Sequence, residues 1–187
     1  YIRFAIANQL FMIANDHDLD YERIRWAMRE DYPRAADLPS AGFAAGPCLF
    51  KDTMQLAAFN NNGFTLGHAS MMVNEGLPLY VVSRMEQKLG DLGDLTIGVL
   101  GMAFKGESDD SRSSLAYKLK RILGFKAGRV LTADPYVTVD RFLVPQEQVL
   151  AESDAIVIGA PHDRYRSLET SVPVFDVWNI NGRGDLV

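Results

Sequence analysis

One cysteine in 187 residues excludes an internal disulfide, and the three histidines at 17, 68 and 162 are too scattered to join it in the ligand spacing of a metal site. No run of basic residues occurs. The formal net charge is -5, with acidic and basic residues mixed along the chain, which argues against nucleic acid or an anionic membrane as the main partner. No apolar run reaches the roughly 18 residues of a membrane helix, and no signal peptide opens the chain, so the cytoplasm is the natural compartment. No G-x-G-x-x-G is present, so the fingerprint of a dinucleotide site is missing. The chain opens on Tyr1, not Met, and 1-YIRFAIANQLFMIAN-15 is in helical pattern with no capping residue ahead of it, as expected of a piece of something longer.

What is present suits a soluble globular protein. Apolar residues make up 48% of the chain, enough for a real core. In the first half, Ile2, Ile6, Leu10 and Ile13 recur at helical spacing with Phe4 and Phe11 alongside, up to the polar break 15-NDHDLD-20. Asp20 is placed to cap a second helix, 21-YERIRWAMRED-31, with Ile24, Ala27 and Met28 on one face and Pro33 as its stop. Residues 39–47 are small and loop-like. Asp52 and Thr53 predict the start of a third helix through about Phe59. After the Asn-Gly break at 62–63 a long helix is predicted from about Leu66 to Leu89, kinked at Pro78.

The second half changes period. Short β-branched runs at 94-DLTIGVLG-101, 128-GRVLTADP-135, 154-DAIVIGAP-161 and 172-VPVFDVW-178 alternate with helical material at 113-SSLAYKLKRILGF-125 and 145-PQEQVLAES-153. Strands alternating with crossover helices predict a doubly wound parallel sheet. The fold class is therefore α/β, an all-helical segment followed by a Rossmann-like sheet, divided near 89-LGDLGD-94 into residues 1–90 and 91–187.

Two stretches carry candidate chemistry. The first strand delivers 101-GMAFKGESDDSRSS-114, with Lys105 and Arg112 near its ends and a helix start in the serine run, a combination that suits a phosphate. The competing reading is a solvated turn in which Arg112 pairs with Asp109 or Asp110. The other stretch, 44-AAGPCLFKDTMQ-55, sets Cys48 beside Lys51 and Asp52, after a loop whose Gly42, Gly46 and Pro47 allow close approach of backbone to a ligand. Cys48 is either a nucleophile with Asp52 handling a water or a proton, or a small buried hydrophobe. His68 and His162 read as surface or packing residues.

The stretch 46-GPCLFKDT-53 resembles the G-G-x-C-x-P-K-D signature of the nucleotide-sugar 6-dehydrogenases, the UDP-glucose/GDP-mannose dehydrogenase family. In the same order, 101-GMAFKGESDDSR-112 looks like that family's G-x-A-F-K-x-x-x-x-D-x-R loop, 134-DP-135 its second-strand end and 174-VFDVWN-179 its last strand. Departures are Phe50 in place of proline, Ala44 and Ala45 in place of an aromatic-glycine pair, Ala133 where Tyr is frequent, and Trp178 where arginine is common.

The resemblance implies oxidation of the C6 alcohol of a UDP- or GDP-sugar to a carboxylate in two hydride transfers to two NAD+, through a cysteine thiohemiacetal and thioester. It assigns Cys48 as nucleophile and Asp52 as the assisting carboxylate. Lys105, Phe104, Phe43 and Gly46 become substrate contacts, joined by Arg34, reaching across a dimer, and by Arg183, while Arg112 meets the NAD pyrophosphate. It further implies an NAD-binding domain and a catalytic lysine and asparagine upstream of Tyr1, and homodimerisation through residues 1–90. The isolated chain is then expected to be inactive. Readings from other classes are an inert sugar-nucleotide-binding module and a structural dimerisation fragment.

Overall fold

A computed structural model describes residues 1–183 and Leu186. Four helices come first: α1 (Ile2–Asp16), α2 (Tyr21–Arg29), α3 (Leu49–Phe59) and α4 (Thr65–Leu89). The sheet lobe then runs β1 (Thr96–Leu100), α5 (Leu115–Lys126), β2 (Arg129–Ala133), α6 (Gln146–Glu152), β3 (Ala155–Ile158) and β4 (Val174–Phe175). The strands lie in the order β2-β1-β3-β4, all parallel, with Leu100 beside both Ala133 and Ile158 and with Val157 beside Phe175. This is the α/β arrangement expected from the alternation of periods.

The strand period of two divides the sheet. Ile97, Val99, Ala155 and Val157 face α4 and α5, while Leu100, Ile156 and Ile158 face α6 and Tyr165. Gly98 lets α6 come close, since a Cβ there would lie 2.5 Å from a methyl of Val149. One core runs without interruption from Ala7 and Phe11 on α1, through Leu77, Val81 and Met85 on α4, to Leu119 on α5 and Val99 on β1. Residues 1–90 and 91–187 therefore share a core through α4. Burying each large aliphatic side chain of α4 contributes about 1.5–3 kcal/mol. The ion pairs Lys118–Glu75 at 3.0 Å and Lys126–Glu86 at 2.9 Å fasten α5 to α4 at the rim.

Several local expectations need correction. On α1 the buried face is Ala5, Ala7, Asn8, Phe11, Ala14 and Asn15, whereas Ile6 and Ile13 point outward at 48% and 49% exposure. Small residues face α4 because the two helices pack together, and the bulky stripe is left over. On α2 only Tyr21 is buried, edge-on to Phe11 at 5.9 Å, so the face of Ile24, Ala27 and Met28 does not meet the core. Asp20 caps this helix as expected, accepting from the Arg23 N–H at 3.0 Å. Its end comes at Arg29, ahead of Pro33, where Glu30 turns extended and Asp31 adopts φ +53°; Pro33–Ala35 then form a separate 3-10 turn. Helix α3 starts at Leu49, with the Cys48 carbonyl already accepting the Asp52 N–H at 2.8 Å. Asp52 is thus within the first turn, a start without a polar cap that capping rules pass over. Helix α4 continues through the buried Pro78.

The irregular chain from 36 to 48 is held by side chains. Asn8, fully buried on α1, accepts the Gly42 N–H at 2.9 Å and donates to the Gly42 carbonyl at 3.0 Å. The same amide donates to Asn74 Oδ1 at 2.9 Å, and Asn74 donates to the Tyr1 carbonyl at 3.2 Å. Arg3 pairs with Asp37 at the rim. Replacing Asn8 with Ala would leave the peptide groups of Gly42 and the Asn74 amide without these partners. At about 1–3 kcal/mol for an orphaned buried group, partly relieved by water, Asn8→Ala is expected to lower stability by about 3 kcal/mol, read from the urea midpoint. A loss below about 1 kcal/mol would show that the loop has another anchor.

Candidate functional site

Gly42 and Gly46 bring the cysteine loop against the sheet lobe. A Cβ on Gly42 would sit 2.3 Å from the ring of Trp178, so the indole occupies the place a side chain would take. Phe43 is buried with its ring edge-on to the same indole at 6.1 Å, which makes it part of the wall behind the loop. Gly46, at φ +107°, lies flat on Phe104: a Cβ there would come within 2.9 Å of the ring. Two residues on, α3 begins, and Cys48 stands exposed at the positive end of that helix. The reading of Cys48 as a buried hydrophobe is thereby corrected. Asp52 lies one turn along on the same side of α3 as Cys48, exposed, with Lys51 Nζ 3.1 Å from its carboxylate.

The loop between β1 and α5 faces this turn. Lys105 is exposed, with its ammonium 5.6 Å from the centre of the Phe104 ring. Arg112 grips Asp110 in a bidentate pair at 2.7–3.1 Å, the solvated-turn pairing anticipated from residue types. The guanidinium hydrogen bonds push the Asp110 carboxyl down to about 2. Arg112 is in turn raised, first by its hydrogen bonds with Asp110, then by that carboxylate's charge and, least, by the negative charge of a Cys48 thiolate, so cysteine and arginine lie within electrostatic reach of each other. Ser114 caps α5, accepting from the Ala116 N–H at 3.2 Å while donating to the Ala103 carbonyl at 3.1 Å. Between the two loops is a cleft of about 230 Å³ whose walls include Gly46, Phe50, Ser113, Lys118 and Arg121.

Beneath the loop lies a buried carboxylate. Asp134, at the end of β2, accepts N–H groups from Met102 and Ala103 on one oxygen and from Tyr136 and Val137 on the other, at 2.5–3.0 Å. His162, just past β3 and fully buried, donates Nε2–H to the same carboxylate at 3.1 Å and accepts the Glu107 N–H on Nδ1 at 3.0 Å. Burial by itself pushes the Asp134 carboxyl up, but hydrogen bonds from His162 and from the N–H groups of Val137, Met102 and Tyr136 overcome it and hold the carboxyl far below the usual range. His162 is thus a packing residue that also anchors a loop. Neither its role nor that of Asn8 was found from sequence, although a polar residue inside an apolar helical stripe is a signal for Asn8.

The sequence-selected residues divide. Gly46, Phe104, Lys105, Cys48 and Arg112 are brought to one place, with Asp52 a helical turn away. Arg34 lies exposed on the 3-10 turn at 33–35. Arg183 lines a separate cavity of about 470 Å³ with Asn15, Arg84, Lys88 and Phe175. At the ends of β1 and β3 the backbones pass close to one another: Cβ atoms on Gly101, Gly106 and Gly159 would meet main-chain atoms of residues 160, 161 and 101 at 2.3–2.6 Å. No G-x-G-x-x-G follows a strand of this sheet, so these residues lack the usual cradle for a dinucleotide pyrophosphate. Among the described residues no helix is long and apolar enough to cross a membrane.

Residues 98–183 match the model of the UDP-glucose/GDP-mannose dehydrogenase family, UDP binding domain. The chain is 31% identical over 175 residues to the UDP-N-acetyl-D-mannosamine dehydrogenase of Pyrococcus horikoshii, covering 89% of this chain and 40% of that protein. It is 27% identical over 177 residues to the NDP-N-acetyl-D-galactosaminuronic acid dehydrogenase of Ralstonia solanacearum, covering 90% of this chain and 41% of that one. Among solved structures it is similar to the UDP-glucose dehydrogenase of Pyrobaculum islandicum, with a TM-score of 0.83 at 27% identity, over 94% of this chain and 44% of that one. The chain spans less than half the length of these relatives.

The buried carboxylate has a measurable consequence. Because the folded Asp134 carboxyl titrates below the unfolded one, its contribution to stability is complete above the ordinary carboxylate value of about 4 and is lost as pH falls through the folded value. The urea midpoint of the parent chain should therefore drop below about pH 4 more steeply than that of Asp134→Asn. Equal acid sensitivity in the two proteins would assign the loss to other carboxylates.

Proposed function

Since the chain belongs to the UDP-glucose/GDP-mannose dehydrogenase family, with the family's UDP-binding domain at residues 98–183, we propose that it forms the nucleotide-sugar-binding and cysteine-bearing part of a cytoplasmic 6-dehydrogenase. The observation that carries this is the contact of Gly46 with the Phe104 ring, which sets the exposed thiol of Cys48 beside a loop bearing Lys105 and Arg112. Lys105 and the N–H groups near Ser114 meet the diphosphate, and the sugar C6 reaches toward Cys48. Arg34, from a second copy, completes the binding set, whereas Arg183, expected to join it, lines a separate cavity. NAD, which residues outside this chain would chiefly hold, would supply the hydride acceptor when bound. Here Arg112 is the residue that would meet its pyrophosphate.

The chain's own part in the reaction is nucleophilic and hydrolytic. The Cys48 thiolate adds to the C6 aldehyde, which places the carbon as a thiohemiacetal and, once oxidised, as a thioester. Asp52 takes the proton from the water that cleaves the thioester and releases the uronic acid. Its present partner, Lys51, is a solvent-exposed ion pair that yields at little cost.

Exposed apolar stripes support homodimerisation through the helices. Met72 and Leu79, seven residues apart on α4, are 70% and 58% exposed, and Ile6 and Ile13 repeat the spacing on α1. Light scattering of the chain at micromolar concentration should give a dimer, and Met72→Glu with Leu79→Glu should give a monomer. A monomeric parent would remove this part of the reading. A binding and dimerisation module without catalysis is the second reading, favoured by the lack of a G-x-G-x-x-G cradle among these residues.

Binding and catalysis can be tested separately. Calorimetric titration of the chain with UDP should give saturable binding that Lys105→Ala weakens, and no heat with UDP or GDP would remove the nucleotide reading. In the full-length protein, Cys48→Ser should abolish turnover. There Asp52→Asn should slow thioester hydrolysis by roughly 100-fold, with a covalent adduct on Cys48 seen by intact-protein mass spectrometry. Turnover by Cys48→Ser near the parent rate would leave the inert-module reading.

A further inference from the structure

We propose that His162 is a positioning residue that latches the loop between β1 and α5, and so presents Lys105 to an anionic ligand; the ligand half of this rests on the diphosphate reading above. Only a short span of that loop lies between its attachments. At one end, Met102 and Ala103 give their N–H groups to Asp134 Oδ2, the oxygen that also accepts His162 Nε2–H. At the other end, the Glu107 N–H donates to His162 Nδ1. One imidazole thus ties both ends, directly at 107 and through Asp134 at 102–103, with Lys105 in the middle of the span.

The attachment works against a local conformational preference. Glu107 has φ +51°, a left-handed conformation unfavourable for a residue with a Cβ. It is held there by three bonds: its N–H to His162, its Oε1 accepting the Asp163 N–H at 2.8 Å, and its Oε2 accepting the Tyr136 hydroxyl at 2.6 Å. Gly106 beside it lies against the Pro161 carbonyl, where a Cβ would come within 2.5 Å. The imidazole cannot rotate away, because the rings of Tyr136 and Tyr165 stand 5.0 and 5.6 Å from it. Since Nδ1 accepts a main-chain N–H, the ring proton is on Nε2, and a single tautomer serves both ends of the span. Lys105 is exposed on this pinned segment, its ammonium over Phe104, and Gly46 packs on the same ring. The latch therefore also sets where the cysteine loop rests.

The test uses the 187-residue chain with His162→Leu, which loses both bonds, His162→Gln, whose amide can accept from Glu107 and donate to Asp134, and Tyr136→Phe. Two measurements are made on each: hydrogen exchange of the amides from 104 to 112, and paired titrations with UDP and with uridine. In His162→Leu the loop amides should exchange faster while those of α1 and α4 hold, and UDP affinity should fall about tenfold or more with uridine affinity unchanged. His162→Gln should restore both measurements. Tyr136→Phe, altered at a partly exposed hydroxyl, should shift them less in the same direction and covers the case in which His162→Leu does not fold. Unchanged loop exchange in the folded variants, or equal weakening of UDP and uridine, would overturn the latch. A parent chain that binds neither ligand overturns the nucleotide reading and the ligand half of the proposal, and the exchange measurement still decides the latch.

Discussion

The arrangement around Cys48 depends on one buried amide. Asn8 pairs with both the N–H and the carbonyl of Gly42, as a neighbouring strand would, and so gives a stretch without regular structure two hydrogen bonds that water cannot reach. Its second Nδ2 contact, to Asn74, makes α4 part of the same anchor. Without this clamp the path from Asp37 to Cys48 would rest on the packing of Phe43 and Gly42 against Trp178 and of Gly46 against Phe104, contacts that hold side chains and leave the peptide groups of Gly42 unpaired. The polar groups of this network are buried together and satisfied together, the condition under which such a network gives a core one arrangement in place of several.

The sheet lobe closes on the clamped loop by steric fit. Trp178 fills the place of a side chain at Gly42, and the Phe104 ring does the same at Gly46. Both contacts need a glycine, and at Gly46 the positive φ adds a second reason. At Trp178 the indole serves packing: its ring meets Phe43 and Gly42, with its N–H buried and lacking a hydrogen-bond partner. Because α4 lies in the same core as α5 and β1, the two walls of the cleft are carried on one continuous core of side chains.

Charge on the loop between β1 and α5 is held in different ways. Arg112 is bonded to Asp110, with its guanidinium largely exposed to solvent. Lys105 makes no ion pair among the described residues and is held over an aromatic ring, which leaves its ammonium hydrated and accessible. The carboxylate that organises the loop, Asp134, is kept charged by five hydrogen-bond donors out of reach of solvent, and its charge shapes the backbone without entering the cleft.

Much of this was legible in residue order. The change of period from 3.6 to 2 near residue 90 marks the passage from helices to a parallel sheet, because side-chain direction in each element follows from local backbone geometry. The stretches around Cys48 and Lys105 stand out for the same local reason, a dense run of glycine, charge and one thiol. What no local pattern holds is the identity of the neighbour. Which face of α1 is covered, the alanines and asparagines and not the isoleucines, was decided by the close passage of α4. His162 reads in sequence as an unremarkable residue after a strand, and it becomes the tie between Asp134 and Glu107 only because three strands end side by side. The sequence by itself determined the elements and the residues capable of chemistry, since those follow from bonds and contacts within a few positions. Tertiary structure alone decided that Cys48 comes beside the loop of Phe104, Lys105 and Arg112, because contacts between residues more than fifty positions apart are fixed by packing of the whole core.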